Sequence, residues 1–467
     1  MNRMAFSFDT TYKGLDPGLY SPVTPKRIAD PEILLLNDGL CGDLGLDPAD
    51  LTADVLAGQD RAEEPIAQAY AGHQFGGFGL LGDGRAMLLG EHVHDGSRYD
   101  IQLKGSGRTP YSRRGDGNAT VSSMLREYLY SSAMQSLGIN TSRSLAVLET
   151  NGTVTRRRRE PGAILVRVMN SHIRYGTFQY VASQIPTELP RFTDYVIDRH
   201  YPQIHATDRP YLAFFDAVME SSIGMVVDWL RVGFVHGVMN TDNMSIDGET
   251  FDYGPCAFLN YYDEGAVFSS IDTDGRYAFG NQRPILRWNL ERFAEALQPL
   301  CSQSALTYEE LEAKLDEFAD RFDARYNSMM RRKLGISSDA HEDLVDEFLG
   351  WLRDSNADYT NTFLELENPG TFDDPAFATA EFERLQEELA AVGLNEGLMQ
   401  EVNPRYIPRN YLVERALDAY LESGDLSTFN ELLTVLKDPY SSKDVDPRYQ
   451  QPPPREFDAR YTTYCNT

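Results

Sequence analysis

The stretch HGVMNTDNMSIDGETFDYGP, His236 to Pro255, sets Asn243 nine residues before Asp252, and Tyr-Gly follows that aspartate. His236-Gly237 stands seven residues before the asparagine. Amide and carboxylate oxygens are hard donors, suited to a divalent cation that also touches phosphate. In sites of this pattern a carboxylate two residues after the histidine takes a proton. Here that place is Val238, which cannot. Asp242, beside Asn243, is the nearest carboxylate that can serve as proton acceptor. It also reads as a turn-forming aspartate in NTDN.

Upstream, YDIQLKGSG carries Lys104 at the end of an alternating strand, and MLREYL carries Glu127 on the helix that follows, 23 residues on. A strand lysine held by a helix glutamate is the device with which protein kinases fix a nucleotide's phosphates. Taken alone the two also read as a surface lysine and a surface glutamate. GHQFGGFGLLGDGR, Gly72 to Arg85, is dense in glycine, so its backbone amides can approach an anion, or it is an ordinary turn between strands. RTPYSRRGDGNAT packs Arg108, Arg113, Arg114 and Asp116 before a helix start, a second anion-binding candidate. Arg167 lies in the apolar run ILVRVM and Arg174 seven residues on in SHIRYG. An arginine in such a strand needs a partner, and either a phosphate or a carboxylate would serve. The run Arg156 to Arg159 reads as a solvated hairpin tip, with docking of a protein substrate as the alternative.

The chain has 467 residues, a formal charge of −28 and 42% hydrophobic content, the composition of a globular protein of two or three folding units. Of its 43 basic residues seven are lysine. A surface this acidic and lysine-poor suits high salt, and it argues against nucleic-acid binding by simple electrostatics. The longest apolar stretch is interrupted by Asp228 and Arg231, so no membrane span is expected, and MNRMAFSFDTTYKG has neither signal-peptide nor transit-peptide character. A cytoplasmic protein, with a monomer favoured, is the expectation. Cys41, Cys256, Cys301 and Cys465 are too scattered for a disulfide framework or a zinc site.

Periodicity predicts short strands in AMLLGEHV, RYDIQLKG, RSLAVLET and GAILVRVM, with one helix, NATVSSMLREYLYSSAMQSLG, among them. Beyond Ser171 the pattern is mainly helical, through 211–233, 307–335, 340–355, 378–391 and 410–436. The expected fold class is α+β, a protein-kinase-like bilobal arrangement with a small β-rich N-lobe and a larger helical C-lobe. The expected divisions are an irregular lead-in with short helices over 1–60, the N-lobe over 61–185, the C-lobe over 186–435 and an extended tail over 436–467.

Four segments, GHQFGGF…LGDGR, LKGSGRTPYSRRGDG, REPGAILVRV…SHIRYGTF and HGVMNTDNMS…FDYGP, together resemble the selenoprotein O (SelO) family of pseudokinase-fold protein adenylyltransferases. The resemblance runs in order from about residue 8 to 300 and more faintly to the C-terminus. It implies ATP bound in an orientation flipped relative to kinases, with AMP passing to a Ser, Thr or Tyr hydroxyl of a protein and pyrophosphate released. It also implies ATP contacts from Gly82, Gly84, Arg85, Lys104, Asp116, Gly117, Arg167, Arg174 and Asp252, with Glu127 holding Lys104. Asn243 and Asp252 would hold Mg²⁺ or Mn²⁺, and Asp242 would be the proton acceptor. Family members often carry a selenocysteine or cysteine near the C-terminus, and some tie it to a cysteine after the Asp-x-Gly motif. Here Cys465 holds the terminal place and only Cys256 is near the motif, so a disulfide switch is not expected. Two other readings stay open: a kinase that transfers the γ-phosphate, and a non-catalytic nucleotide-binding scaffold.

Overall fold

Strand alternation in RYDIQLK decides what faces the site. Ile101 and Leu103 are buried in one apolar cluster with Ile164, Val166 and Val168, which leaves Asp100, Gln102, Lys104 and Arg167 to the opposite face of the same strands. The computed structural model describes residues 5–60, 63–338, 340–443 and 445–464. Its strands are β1 (Tyr20–Pro22), β2 (Glu32–Leu36), β3 (Ile66–Gln74), β4 (Gly77–Gly82), β5 (Ala86–His94), β6 (Ser97–Lys104), β7 (Ala119–Thr120), β8 (Arg143–Thr155) and β9 (Arg159–Met169). They form one antiparallel sheet in the order β1-β3-β5-β6-β9-β8-β2, with β4 paired to β3 and β7 to β9. In the β6–β9 ladder Gln102 faces Arg167 and Lys104 faces Leu165.

The helices are α1 (Asp38–Asp43), α2 (Ala53–Leu56), α3 (Val121–Ser136), α4 (Tyr175–Gln184), α5 (Leu189–His200), α6 (Pro210–Val232) and α7 (Gln282–Leu297). Then come α8 (Tyr308–Asp316), α9 (Phe318–Lys333), α10 (Glu342–Ser355), α11 (Tyr359–Glu367), α12 (Ala380–Val392), α13 (Glu396–Val402), α14 (Asn410–Ser423) and α15 (Ser427–Leu436). The class is α+β, a sheet with α1, α2 and α3 inserted between its strands and a helical mass after it. Thr120 caps α3 by accepting from the Ser123 N–H, and its apolar stripe, Met124, Leu125 and Leu129 among it, joins the main core with Leu165. That placement brings Glu127 to Lys104.

Three expectations need correction. The lead-in carries the short helices expected of it but also strands: β1 and β2 supply the two edges of the sheet, and Leu40, Leu44, Leu51 and Leu56 cover its outer face. The helical patterns at 307–335 and 410–436 each divide in two, the second at Gly424, which sits at φ +72° and cannot continue a helix. The C-terminal tail does not simply lie over the surface. Tyr461 hydroxyl bonds join it to Arg126 and Glu414, and the Thr463 N–H donates 2.7 Å to the Phe268 carbonyl. Helix α6 is long and apolar enough to cross a membrane by composition, despite Asp228 and Arg231. It packs on α7 and α9 instead, with Phe214, Phe215, Val218, Ile223 and Trp229 all buried.

The stretch His236 to Pro255 is clamped at both ends. Phe234–Val235 (β10) pairs with Ala257–Phe258 (β11), so residues 236–256 form a closed loop rooted in the core. His236 stacks on Trp229 at 5.2 Å between centroids and contacts the Phe251 carbonyl through Nε2 at 3.0 Å.

Candidate active site

Gly82, Gly84, Arg85, Lys104, Asp116, Gly117, Arg167, Arg174, Asp242, Asn243 and Asp252 all line one cavity of about 440 Å³. Glu127 stands behind it, buried, and touches two of its cations. Lys104 Nζ is 2.6 Å from Glu127 Oε2 and 2.5 Å from Asp252 Oδ1. Arg167 Nη1 is 2.7 Å from that same Asp252 oxygen and 3.3 Å from Glu127 Oε1. Two cations therefore share two carboxylates, and both converge on Asp252 Oδ1. The cations hold the Asp252 carboxyl well below the usual range against the opposing effect of burial. Asp252 sits at φ +64°, a left-handed conformation costly for a residue with a Cβ and characteristic of functional sites.

Arg174 caps α4 and is buried. Its Nη1 donates 3.1 Å to the Asp242 carbonyl and its Nε 3.1 Å to the His172 carbonyl, with the guanidinium 4.1 Å from the Tyr70 ring centroid. Its Nη2 has no hydrogen-bond acceptor among the described residues, and Asp83 Oδ1 lies 3.8 Å away. Asp242 lies in a 3₁₀ turn, Thr241–Asn243. Its Oδ2 accepts 3.1 Å from Gln74 Nε2, while buried Oδ1 lacks a partner among the described residues. Burial pushes its carboxyl up to about 6. Asn243 donates Nδ2 2.9 Å to the Val238 carbonyl, which leaves its amide oxygen as an acceptor on the cavity wall.

Strand β3 aligns this turn from outside. The His73 N–H donates 2.7 Å to Thr241 Oγ1, which in turn donates 2.7 Å to Gln179 Oε1 on α4. The Phe75 N–H reaches Asn240 Oδ1 at 3.2 Å. The basic loop closes the cavity's other side. Asp116 is bound at 2.6 Å and 3.1 Å by Arg156, which places its carboxyl far below the usual range. Arg156 itself lines the cavity, so one arginine of the 156–159 run is not at a solvated tip. Arg158 pairs with Glu160 and Asp418, and Arg157 stacks on Tyr464 at 3.5 Å. Gly117 closes the turn at φ +70°, where a Cβ would stand 2.0 Å from the Gly107 carbonyl oxygen.

Several site residues escape the sequence reading. Gln102 is bound to Arg167 Nη2 at 2.5 Å, and its signal was the strand alternation two places before Lys104. Asp83, inside LGDGR, is buried and pushed up to about 6 by that burial. It accepts from the Gln68 N–H at 3.1 Å. Nothing local distinguishes Asp83 from a turn aspartate. Gln74 comes from a distant segment and had no local signal, and the Arg156 run was visible in the sequence but not its place on the cavity wall.

The donor set fits a magnesium-like ion. Asn243 and Asp252 are both oxygen donors, and among the described residues no group of three His, Cys, Asp or Glu side chains could complete a shell alone. Mg²⁺ is bound in this way, by one or two protein oxygens with phosphates and water supplying the rest. Cys256 is buried with its thiol pushed up to about 12 by burial, a poor nucleophile. Cys465 lies outside the described residues, and the expectation that it forms no disulfide switch with Cys256 lies there with it.

A family model described as protein adenylyltransferase SelO matches residues 2–437. The chain is 45% identical over 483 residues to protein nucleotidyltransferase YdiU of Alcanivorax borkumensis, covering 99% of each. It is 45% identical over 484 residues to the protein of that name from Nitrosococcus oceani, covering 99% of this chain and 98% of the other. The match to that of Halalkalibacterium halodurans is 46% over 485 residues, at the same coverage. On this evidence of motif, site and full-length match, the chain belongs to the SelO family of protein adenylyltransferases.

Proposed function

We propose that the protein transfers AMP from ATP to Ser, Thr or Tyr hydroxyls of other proteins, on a kinase-like bilobal scaffold with the nucleotide flipped so that its α-phosphate faces the acceptor. The observation that carries this reading is Arg174. A buried guanidinium whose Nη2 has no acceptor among the described residues shares one cavity with Lys104, Arg167 and the Asp242 oxygen that likewise has no partner there. Leaving such donors unsatisfied is costly, and a phosphate chain satisfies them.

In this reading Lys104, Arg167 and Arg174 lie along the phosphates and offset the charge that develops on the departing pyrophosphate. Preformed charge of this kind usually supplies the largest part of the barrier reduction. Gly82, Gly84, Arg85 and the Asp116-Gly117 turn line the walls of the nucleotide's cavity. Asn243 and Asp252 would hold Mg²⁺ or Mn²⁺, whose chemistry is to neutralise phosphate oxygens. Asp242 orients the acceptor hydroxyl and takes its proton as the oxygen bonds to the α-phosphorus and the bond to pyrophosphate breaks. A carboxyl held near 6 is a better base at neutral pH than an ordinary aspartate.

The test supplies ATP labelled separately at the α and γ positions, with intact-mass detection of the protein product. Retained α-label and a one-AMP increment are expected. Retained γ-label would mean phosphorylation, and binding without either label would mean a scaffold. Asp252→Ala should abolish transfer. Asp242→Asn should lower turnover by roughly 10²–10⁴-fold with nucleotide affinity nearly kept, the range for loss of a general base.

A further inference from the structure

Among the described residues the exposed large apolar side chains are Phe75, Phe78, Leu80 and Ile271, at 38%, 50%, 50% and 49% exposure. They are not scattered. Phe75, Phe78 and Leu80 lie on the β3–β4 hairpin, and Phe75 and Ile271 stand on the wall of the cavity that holds Asp242. Contiguous exposed apolar surface on a protein usually marks a binding face.

The hairpin is held, not loose. Phe75 sits at φ +51° with its N–H on Asn240 and on the Tyr277 hydroxyl, both at 3.2 Å. Keeping an aromatic residue in that conformation and still exposed costs energy, and such strain collects at functional positions. Phe78 rests on His73 at 5.1 Å between centroids, and His73 meets Trp288 edge-on at 5.3 Å. Arg276, half-buried, lies over that indole at 4.6 Å and over the Tyr277 ring at 5.7 Å. Beside Leu80 stands exposed Arg113, also in a left-handed conformation at φ +51°. On a chain of net charge −28, this rim joins apolar surface to guanidinium groups.

We infer that the rim formed by Phe75, Phe78, Leu80, Ile271, Arg113 and Arg276 docks the acceptor protein, as an extended segment with apolar and acidic residues near its hydroxyl. The inference rests on the adenylyl-transfer reading and adds a substrate class to it. Apolar side chains of the segment cover the hairpin, its carboxylates meet the guanidinium groups, and its hydroxyl reaches Asp242 below. A basic segment would meet Arg113 and Arg276 as like charges, which gives discrimination as well as affinity.

The test uses a positional peptide library with fixed Ser, Thr or Tyr, α-labelled ATP and the full chain. Incorporation should favour Leu, Ile or Phe together with Asp or Glu near the hydroxyl, and Lys-rich peptides should be labelled at least tenfold less. The Phe78→Asp/Leu80→Asp double variant should raise the peptide KM at least tenfold while ATP affinity and peptide-independent pyrophosphate release stay unchanged. Arg276→Glu should shift the preference from acidic toward basic flanks, a change that a merely structural role would not produce. Labelling of lysate proteins without any peptide selectivity, or with no peptide labelled, overturns the docking inference and leaves adenylyl transfer standing. No α-label on any protein or peptide overturns both. A dimer in sedimentation that Phe78→Asp disperses would assign the rim to self-association and overturn the inference.

Discussion

Asp242 occupies the space a side chain at Gly72 would need: a Cβ there would stand 2.3 Å from Asp242 Oδ1 and 2.8 Å from its Cγ. Gly72, on β3, is thus the floor against which the proposed proton acceptor, Asp242, is set. Gly72→Ala should push the carboxylate out of place while leaving the cations at Lys104 and Arg167 where they are. The expected result is a fall in kcat of about 10²-fold with little change in ATP affinity, since small misplacements of a reacting group cost about that much. An unchanged kcat would show that Asp242 tolerates displacement and is not the base.

Glu127 shares its two oxygens between Lys104 and Arg167 and is itself 2% exposed. Removing its charge strands buried cations. Breaking a buried pair costs about 3–5 kcal/mol, and Glu127→Gln should fall at the lower end because Asp252 still touches both cations. Denaturant unfolding measures the loss. Saturating ATP should recover part of it, because phosphates supply the missing negative charge.

Asp83 yields a pH dependence whose sign is fixed. Burial raises its carboxyl from 3.8 to about 6, so its ionised form is disfavoured in the fold. The contribution to stability is present below pH 3.8 and is lost as pH rises through about 6. Asp83→Asn removes the group, so its stability relative to the parent should be equal near pH 4 and rise to a plateau above pH 6. The plateau is at most about 3 kcal/mol, from 1.36 kcal/mol per pKa unit. Thermal melts of the nucleotide-free protein across that window provide the check; a difference that falls with pH would reverse the assignment.

Lys333 is 1% exposed, donates 2.8 Å to the Arg231 carbonyl, and has its ammonium 3.8 Å from the Phe363 ring centroid. Burial, with Arg231 nearby, lowers it well below 10.5. Its charged form is therefore penalised at every pH below the unfolded value, and the penalty fades as pH rises toward 10.5. Lys333→Met should stabilise the protein by more than about 1 kcal/mol at pH 7, as replacement of buried charge by apolar volume often does. The gain should shrink by pH 9.5, and equilibrium unfolding at the two pH values decides it.

The residues of the site that carry their own local signal were legible in the sequence. Asn243 and Asp252 share one short loop, Lys104 and Arg167 interrupt apolar strands, and Glu127 lies on a helix whose stripe is regular. Their chemistry depends on residue type and spacing within a segment, and both are written in the chain. What the tertiary structure decided is everything that joins segments far apart. Gly72 and Gln74 meet Asp242 across about 170 residues, as the separation of 168 for Gln74 shows. Arg156 meets Asp116 across 40. The lead-in becomes two sheet edges because β8 and β3 offer unpaired backbone there, a demand no local pattern in 1–60 announces. Asp83 reads as one more turn aspartate, and only its burial, outweighing the opposing pull of nearby Arg174, makes it a titrating group near 6. Local sequence sets what a side chain can do; which solvent and which neighbours it meets is set by packing, and pKa and pairing follow from those.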